Sequence, residues 1–178
     1  FLITIQNIPP VNDINNRFII NIASSIAFNT EESIVSLKEL IKGSTTLHKI
    51  GCNVSIGKVV WNQKKHLLTD DSNHTRLIYQ GDFKNKILNQ PKQRRDPTKK
   101  NFINMEGSTD VILVVPRGYG VGEYKFDYCL IDTEHPYQVE NHLICISIER
   151  ELKRNDKKIV LSKIATALDS IKTKRFVE

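Results

Sequence analysis

The sequence predicts an α+β domain, in which a mainly antiparallel, twisted β-sheet has one helix before it and one helix after it. Three observations support this fold class. A helical pattern lies towards each end of the chain, the segments between have the alternation and β-branched residues of strands, and the two patterns do not alternate as they do around a parallel sheet. A chain of 178 residues, 39% of them hydrophobic, is long enough to bury a core of its own.

The first helix is predicted at residues 31–42. Thr30 is suited to cap its N-terminus, and Gly43 follows as a terminator. Its apolar residues recur at the spacing of one helical face: Ile34, Leu37, Leu40 and Ile41. Residues 1–29 contain apolar clusters that do not distinguish helix from strand. We therefore expect a connector segment with a short helix at residues 1–43, and the main domain at residues 44–178.

Strands are predicted at residues 54–60, 75–80, 111–115, 124–131 and 142–148. The run at 111–115 is aliphatic and mostly β-branched, which is typical of a central strand buried on both faces, and Pro116 is expected to end it. Residues 84–104 are polar, basic and poor in apolar side chains, so they read as a long surface loop. A second helix is predicted at residues 158–171 from a single apolar stripe.

The positive charge is concentrated in one window of the chain. The net charge is +6, and residues 58–100 hold eleven basic groups against four acidic ones, whereas the segments on either side are close to neutral. Aromatic and amide side chains are interleaved with these cations. Because cations suit phosphates, and amides and arginine suit base edges, this window predicts a nucleic-acid surface. A solvated lysine-rich face remains the alternative, since the chain has 18 Lys to 8 Arg.

Other classes of function find little support in the residues. The three cysteines lie far apart and form no metal-binding pair, which argues against a disulfide framework or a zinc site and fits a reducing cytosol. No segment approaches the ~20 apolar residues of a membrane span, so no membrane partner is expected. No nucleophile motif and no helical histidine pair is present, so we expect neither catalytic residues nor metal ligands.

The glycine-rich residues 118–122 follow a predicted strand but do not open a helix. A dinucleotide loop requires the helix, because phosphate binds at its N-terminus. These residues therefore predict a turn, with Arg117 and Tyr119 at its mouth.

Four segments resemble a known family. Residues 57–71 read Gly-Lys-Val-Val-Trp-Asn-Gln-Lys-Lys-His-Leu-Leu-Thr-Asp-Asp, and residues 75–79 read Thr-Arg-Leu-Ile-Tyr. Further along, residues 110–120 read Asp-Val-Ile-Leu-Val-Val-Pro-Arg-Gly-Tyr-Gly, and residues 139–143 read Val-Glu-Asn-His-Leu. This order resembles the target-recognition region of bacterial adenine-N6 DNA methyltransferases. It is most similar to the C-terminal specificity domain of the TaqI type, which is related to type I restriction specificity subunits.

The resemblance implies a cytoplasmic bacterial protein that recognises double-stranded DNA in a restriction-modification system. The parent enzyme flips an adenine out of the duplex and transfers a methyl group to N6, while this domain holds and reads the duplex. The catalytic Asn-Pro-Pro-Tyr and the S-adenosylmethionine loop are missing from the sequence. We therefore expect S-adenosylmethionine in the parent enzyme and no cofactor in this chain, whose partners are DNA and a catalytic methyltransferase domain. Whether this chain has an activity of its own stays open.

The expected DNA contacts lie in the basic window and at the glycine-rich turn. Phosphate contacts are assigned to Lys58, Lys64, Lys65, Arg76, Lys84, Lys86, Arg94 and Arg95. Base edges are assigned to Asn62 and Gln63, whose amides suit adenine, and to Arg117, which suits guanine. Stacking or wedging is assigned to the aromatic rings of Trp61, Tyr79 and Tyr119.

Two other functions stay open. A metal-dependent nuclease is one, because Asp110 with Glu123 and Lys125 loosely resembles the carboxylates and lysine of such a site. The other is a specificity subunit of a multi-subunit restriction system. Those subunits usually carry two recognition regions and long spacer helices, whereas this sequence has one region and one short terminal helix.

Overall fold

The computed structural model describes residues 17–22, 25–118 and 127–173. The chain divides into two compact units, Phe1–Thr46 and Leu47–Glu178. The described part of the first unit is an antiparallel hairpin of β1 (Ile19–Ile22) and β2 (Ser25–Phe28), followed by α1 (Glu31–Ile41). The sequence places the boundary between the units after Gly43, and the structure divides after Thr46.

The first helix forms for the reasons that the sequence indicates. The Thr30 hydroxyl accepts a hydrogen bond from the Ser33 amide at 3.3 Å, which caps the N-terminus. Ile34, the first residue of the predicted stripe, is buried. Gly43 has a φ of +71°, the left-handed conformation that glycine adopts at helix C-termini. The predicted helix is confirmed to within one residue.

The second unit contains ten strands and one α-helix in its described residues. In chain order they are β3 (Cys52–Ile56), β4 (Leu68–Thr69), β5 (Thr75–Ile78), β6 (Phe83–Lys84), β7 (Ile87–Leu88), β8 (Phe102–Ile103), β9 (Ile112–Pro116), β10 (Cys129–Ile131), β11 (Tyr137–Val139), β12 (Leu143–Ile148) and α2 (Arg154–Leu168). Ten strands against one helix, paired mostly antiparallel, confirm the predicted α+β class.

The strands form two four-stranded sheets and a small hairpin. The first sheet has the order β10, β9, β12, β3 and is antiparallel throughout. The second has the order β11, β5, β8, β4, and its one parallel pair is β11 with β5. The hairpin joins β6 to β7. The predicted loop at residues 84–104 therefore contains two short strands, β7 and β8. The sequence does not predict them, because two residues are too few to carry an alternating pattern.

The first sheet lies between α2 and the second sheet. One face packs on the helix through Cys52, Val111, Leu113, Val115, Ile146, Ile148, Leu161, Ile164 and Ala165. The other face packs on side chains of the second sheet and the hairpin through Ile112, Val114, Cys129, Ile131, Leu143 and Cys145. All of residues 111–115 are buried, so the prediction of a central strand covered on both faces is confirmed. The strand ends at Pro116, as predicted, with the proline as its last residue.

A third apolar cluster covers the outer face of the second sheet. Leu77 and Tyr79 alternate with Ile78 along the chain, so they point away from the first sheet. They pack with Val59 and Ile103, and the partly exposed Trp61 lies against them. The order of the layers is therefore α2, first sheet, second sheet and the segment that carries Trp61.

Replacing Leu161 by alanine is expected to lower the free energy of unfolding by about 2–5 kcal/mol, because its side chain is fully buried between α2 and the first sheet. Urea unfolding should show the lower midpoint with an unchanged slope. Ile159 is 47% exposed on the same helix, so its replacement by alanine is the matched control, with an effect of about 0.5 kcal/mol or less. Equal losses in the two variants would show that the helix does not pack as described.

Within residues 17–22, 25–118 and 127–173, no helix combines the length and the apolar character of a membrane span.

Candidate nucleic-acid interface

The segment that carries most of the predicted contacts leaves the first sheet at the end of β3 and crosses to the second sheet. The Gly57 amide donates to the Leu143 carbonyl at 2.9 Å, and the Val59 amide donates to the Val139 carbonyl at 3.1 Å. A Cβ atom on Gly57 would lie 2.1 Å from the carbonyl oxygen of Glu140. Only glycine fits this approach, so the backbone of residues 57–59 is held tightly against the turn between β11 and β12.

Two ammonium groups lie over the indole ring of Trp61. The Lys99 Nζ atom is 4.8 Å from the ring centroid, and the Lys65 Nζ atom is 5.4 Å from it. Both distances are within the ~6 Å range of cation–π attraction. We call Trp61, Lys65 and Lys99 the tryptophan cluster. It presents an aromatic ring and two positive charges on the outer face of the second sheet, on the opposite side of the first sheet from α2.

Few of the cations in the basic window are neutralised by a carboxylate. Lys86, Arg94 and Lys100 form ion pairs with an aspartate, and Arg76 donates to the backbone carbonyl of Asn89. The other cations of the window have no ion pair among the described residues: Lys58, Lys64, Lys65, Lys84, Lys92, Arg95 and Lys99. Most of these side chains are exposed, so their charge faces solvent.

Arg117 lies next to the segment of Lys58 and Trp61. Its amide donates to the His142 carbonyl at 2.9 Å, and its guanidinium is 3.5 Å from the Asn141 carbonyl. The Asn141 amide in turn donates to the Val59 carbonyl at 2.9 Å. Arg117 is exposed and forms no ion pair with any described residue. These bonds bring together residues from distant parts of the sequence, as the predicted surface requires.

Tyr79 is buried in the core, so its ring is not exposed for the predicted stacking on a base. It is 5% exposed, and the Arg94 guanidinium lies 4.0 Å from its ring centroid. Burial raises the pKa of the Tyr79 hydroxyl above its usual value. Arg94 itself pairs with Asp82 at 2.8 Å, with both side chains largely buried. The predicted phosphate contact of Arg94 is therefore replaced by a structural ion pair, because its charge is already satisfied inside the protein.

Arg76 and Lys86 also depart from the predicted phosphate surface. Arg76 shares the strand face of Ile78, which is directed to the first sheet, and burial lowers the pKa of its guanidinium. Lys86 pairs with Asp169 at 2.6 Å and lies 4.8 Å from the ring centroid of Tyr128. It therefore lies beside the end of α2 rather than with the tryptophan cluster.

The remaining predicted contacts are on the surface or outside the described residues. Asn62, Gln63 and Arg95 are exposed, and the first two follow Trp61 in the turn that the Gln63 amide closes on the Val60 carbonyl. Tyr119 lies outside the described residues, as do Glu123 and Lys125 of the possible nuclease site. Asp110 of that site pairs with Lys157 at 2.8 Å.

Lys99 was not among the residues that the sequence singles out. The basic stretch around Lys99 indicates a charged surface, but it does not show which residues Lys99 contacts. Its approach to Trp61 depends on the pairing of β8 with β4 and β5, which the sequence does not reveal. The pair formed by Glu140 and His142 was also missed. Glu140 is buried, and only the fold reveals that a charged residue at this position is enclosed.

Comparison with protein-family models, with curated proteins and with solved structures finds no match to this chain.

Proposed function

We propose that this chain binds double-stranded DNA as the target-recognition domain of a site-specific adenine-N6 DNA methyltransferase. The observation that carries the proposal is the tryptophan cluster, in which two cations lie over the partly exposed ring of Trp61 at the outer face of the second sheet. A basic surface with an embedded aromatic ring suits a nucleic acid, because phosphates bind cations and bases stack on aromatic rings.

The unpaired cations supply the phosphate contacts in this proposal. Lys58, Lys64 and Lys65 lie on one short segment, and Lys99, which precedes β8 in the chain, shares the ring of Trp61 with Lys65. When cations without carboxylate partners bind the phosphates, the counterions condensed on the DNA are released. This release favours binding at low salt.

The exposed amides and Arg117 supply base readout. Asn62 and Gln63 follow Trp61 directly, and Arg117 is connected to the same segment through Asn141. An amide matches adenine with two hydrogen bonds, and a guanidinium matches guanine in the same way. Phosphate contacts fix the register of the duplex, and these side chains then read its sequence.

The finer part of the proposal concerns the parent enzyme. A catalytic methyltransferase domain binds S-adenosylmethionine and methylates a flipped adenine in the bacterial cytoplasm, and this chain holds the bases around it. This part rests on the resemblance of residues 57–79, 110–120 and 139–143 to that family.

A gel shift with a randomised duplex pool at two salt concentrations tests the proposal. We expect the chain to enrich a specific sequence motif at both concentrations. Binding that is uniform across sequences and lost at high salt would indicate a generic basic surface, and an absence of binding would remove the proposal.

Two single variants separate base readout from phosphate contact. Arg117→Ala should change the enriched motif at one position, at a cost of about 1–3 kcal/mol for the preferred base. Lys64→Ala should weaken all sequences alike and leave the motif unchanged. The reverse outcome would show that the two roles are exchanged.

A further inference from the structure

A cleft opens between the two sheets at the edge that β3 forms. The first sheet provides one wall through β3 and β12, and the second sheet provides the other through β11. The volume of the cleft is about 290 Å³, which is room for about ten atoms of the size of a water molecule. Its buried floor consists of Ile112, Tyr137, Val139 and Cys145. An apolar floor of this size suits the body of a small organic molecule.

The strand β3 directs its polar residues into this cleft and its apolar residues away from it. Ser55 lies opposite Cys145 in the register with β12, so Ser55 and Asn53 share the face that is directed to the second sheet. Val54 and Ile56 lie on the other face, where they are 51% and 54% exposed. Apolar side chains would gain more from burial against the floor of the cleft than these polar groups do. The reversed pattern indicates that the cleft receives a polar group.

Lys58 brings a positive charge to the cleft. Its side chain lines the cleft and forms no ion pair with any described residue. Asp110 also lines the cleft, but its carboxylate is paired with Lys157 at 2.8 Å. Burial raises the pKa of the Cys145 thiol to about 11, and the positive charge of Lys58 opposes this shift. The thiol is therefore neutral at pH 7, and an anion in the cleft would meet the ammonium group of Lys58.

Hydroxyl groups stand beside this ammonium group. Ser55 and Ser147 line the cleft, and neither hydroxyl has a hydrogen-bond partner in the part of the chain that the structure describes. A hydroxyl can donate one hydrogen bond and an ammonium group three. An oxyanion with several acceptor oxygens can bind all of these donors at once, and lysine binds phosphate as a point charge.

We propose that this cleft binds a small phosphate ester. The phosphate group binds Lys58 and the hydroxyl of Ser55, and the organic body of the ligand lies on the apolar floor. A free small molecule and the DNA backbone both carry this group, and competition between them identifies the source. The inference does not depend on the proposed function, because its first test contains no DNA.

Titration with phenyl phosphate, followed by ¹H–¹⁵N NMR, tests the proposal. We expect saturable changes in the amide shifts, concentrated at residues 53–58, 108–112 and 137–147, which line the cleft or flank its lining. Phenol has the same ring without the phosphate, and we expect it to bind at least about tenfold more weakly, because it lacks the charged hydrogen bonds. Equal affinities for the two compounds, or shifts spread evenly over exposed lysines, would overturn the proposal.

Single variants test the two groups that bind the phosphate. Lys58→Gln should weaken the binding of phenyl phosphate by about tenfold or more, and Ser55→Ala by about fivefold. Lys163→Gln is the matched control, since Lys163 is exposed on α2 and its replacement removes the same charge. Its affinity should equal that of the unmodified chain. If Lys58→Gln binds phenyl phosphate as tightly as Lys163→Gln does, Lys58 does not hold the ligand and the proposal is overturned.

A competition experiment identifies the source of the phosphate. If phenyl phosphate displaces the duplex in gel shifts and Lys58→Gln weakens the binding of both, the cleft takes a phosphate of the DNA backbone. If Lys58→Gln loses phenyl phosphate but retains the duplex, the ligand is a free phosphate ester. A chain that binds phenyl phosphate in the cleft but binds no duplex would remove the proposed function and leave this inference standing.

Discussion

Replacing Gly57 by alanine is expected to lower the free energy of unfolding by about 3 kcal/mol or more. The added Cβ would lie 2.1 Å from the Glu140 oxygen and 2.6 Å from the Val139 oxygen, and both are backbone atoms that cannot rotate away. The strand cannot shift to relieve the contact, because the Gly57 amide is bonded to Leu143 in the register of the first sheet. Urea unfolding followed by tryptophan fluorescence measures the loss.

Gly81→Ala is the matched control for this substitution. No atom lies within 4 Å of the position of its Cβ, and its φ is not in the left-handed region. We expect no loss of stability, and a gain of up to about 1 kcal/mol is consistent with the lower entropy of the unfolded chain. Similar midpoints for the two alanine variants would mean that residues 57–59 do not approach the turn of Glu140 as closely as described.

Replacing both Lys65 and Lys99 by alanine is expected to weaken duplex binding by about 10- to 100-fold near 0.1 M salt. Each lost phosphate contact should also reduce the slope of log affinity against log salt by about 0.9. The two ammonium groups lie over the same ring, so their removal takes the positive charge from the centre of the proposed surface. Gel shifts over a series of salt concentrations measure both effects.

A double variant with the same loss of charge provides the control. Lys153 and Lys163 are exposed residues at the start and on the surface of α2, on the opposite side of the first sheet from the tryptophan cluster. Their replacement by alanine should leave the slope nearly unchanged. An equal loss of affinity in both double variants would indicate attraction by net charge alone, without a defined face.

The parts of the fold that the sequence predicts best are those with a complete local signal. The first helix has its cap, its apolar stripe and its terminating glycine within fourteen consecutive residues, 30–43, and β9 has an uninterrupted aliphatic run. Neither depends on distant pairing. The second sheet was not foreseen, because strands of two to four residues such as β4 and β8 acquire their identity only from their partners.

The residues of the candidate site also differ in how well the sequence predicts their positions. The segment of Lys58, Trp61 and Lys65 was identified from local composition. Lys65 does lie over the ring of Trp61, whereas Lys58 lines a cleft with Ser55, Tyr137 and Cys145. Tyr79 and Arg76 lie on opposite faces of β5 and its extension, and both faces are covered by other layers. An alternating pattern shows that two side chains point in opposite directions, but it does not show whether each face meets solvent or another sheet.

Trp61 is the only tryptophan in the chain, so intrinsic fluorescence reports directly on the centre of the proposed surface. The decisive measurement is its emission during a titration with duplex DNA at about 50 mM and about 200 mM salt. We expect a saturable change in emission, with a midpoint that moves to much higher DNA concentration at the higher salt. If gel shifts show that the duplex binds while the emission of Trp61 stays constant, DNA binds elsewhere on the molecule and the surface described here is not the interface.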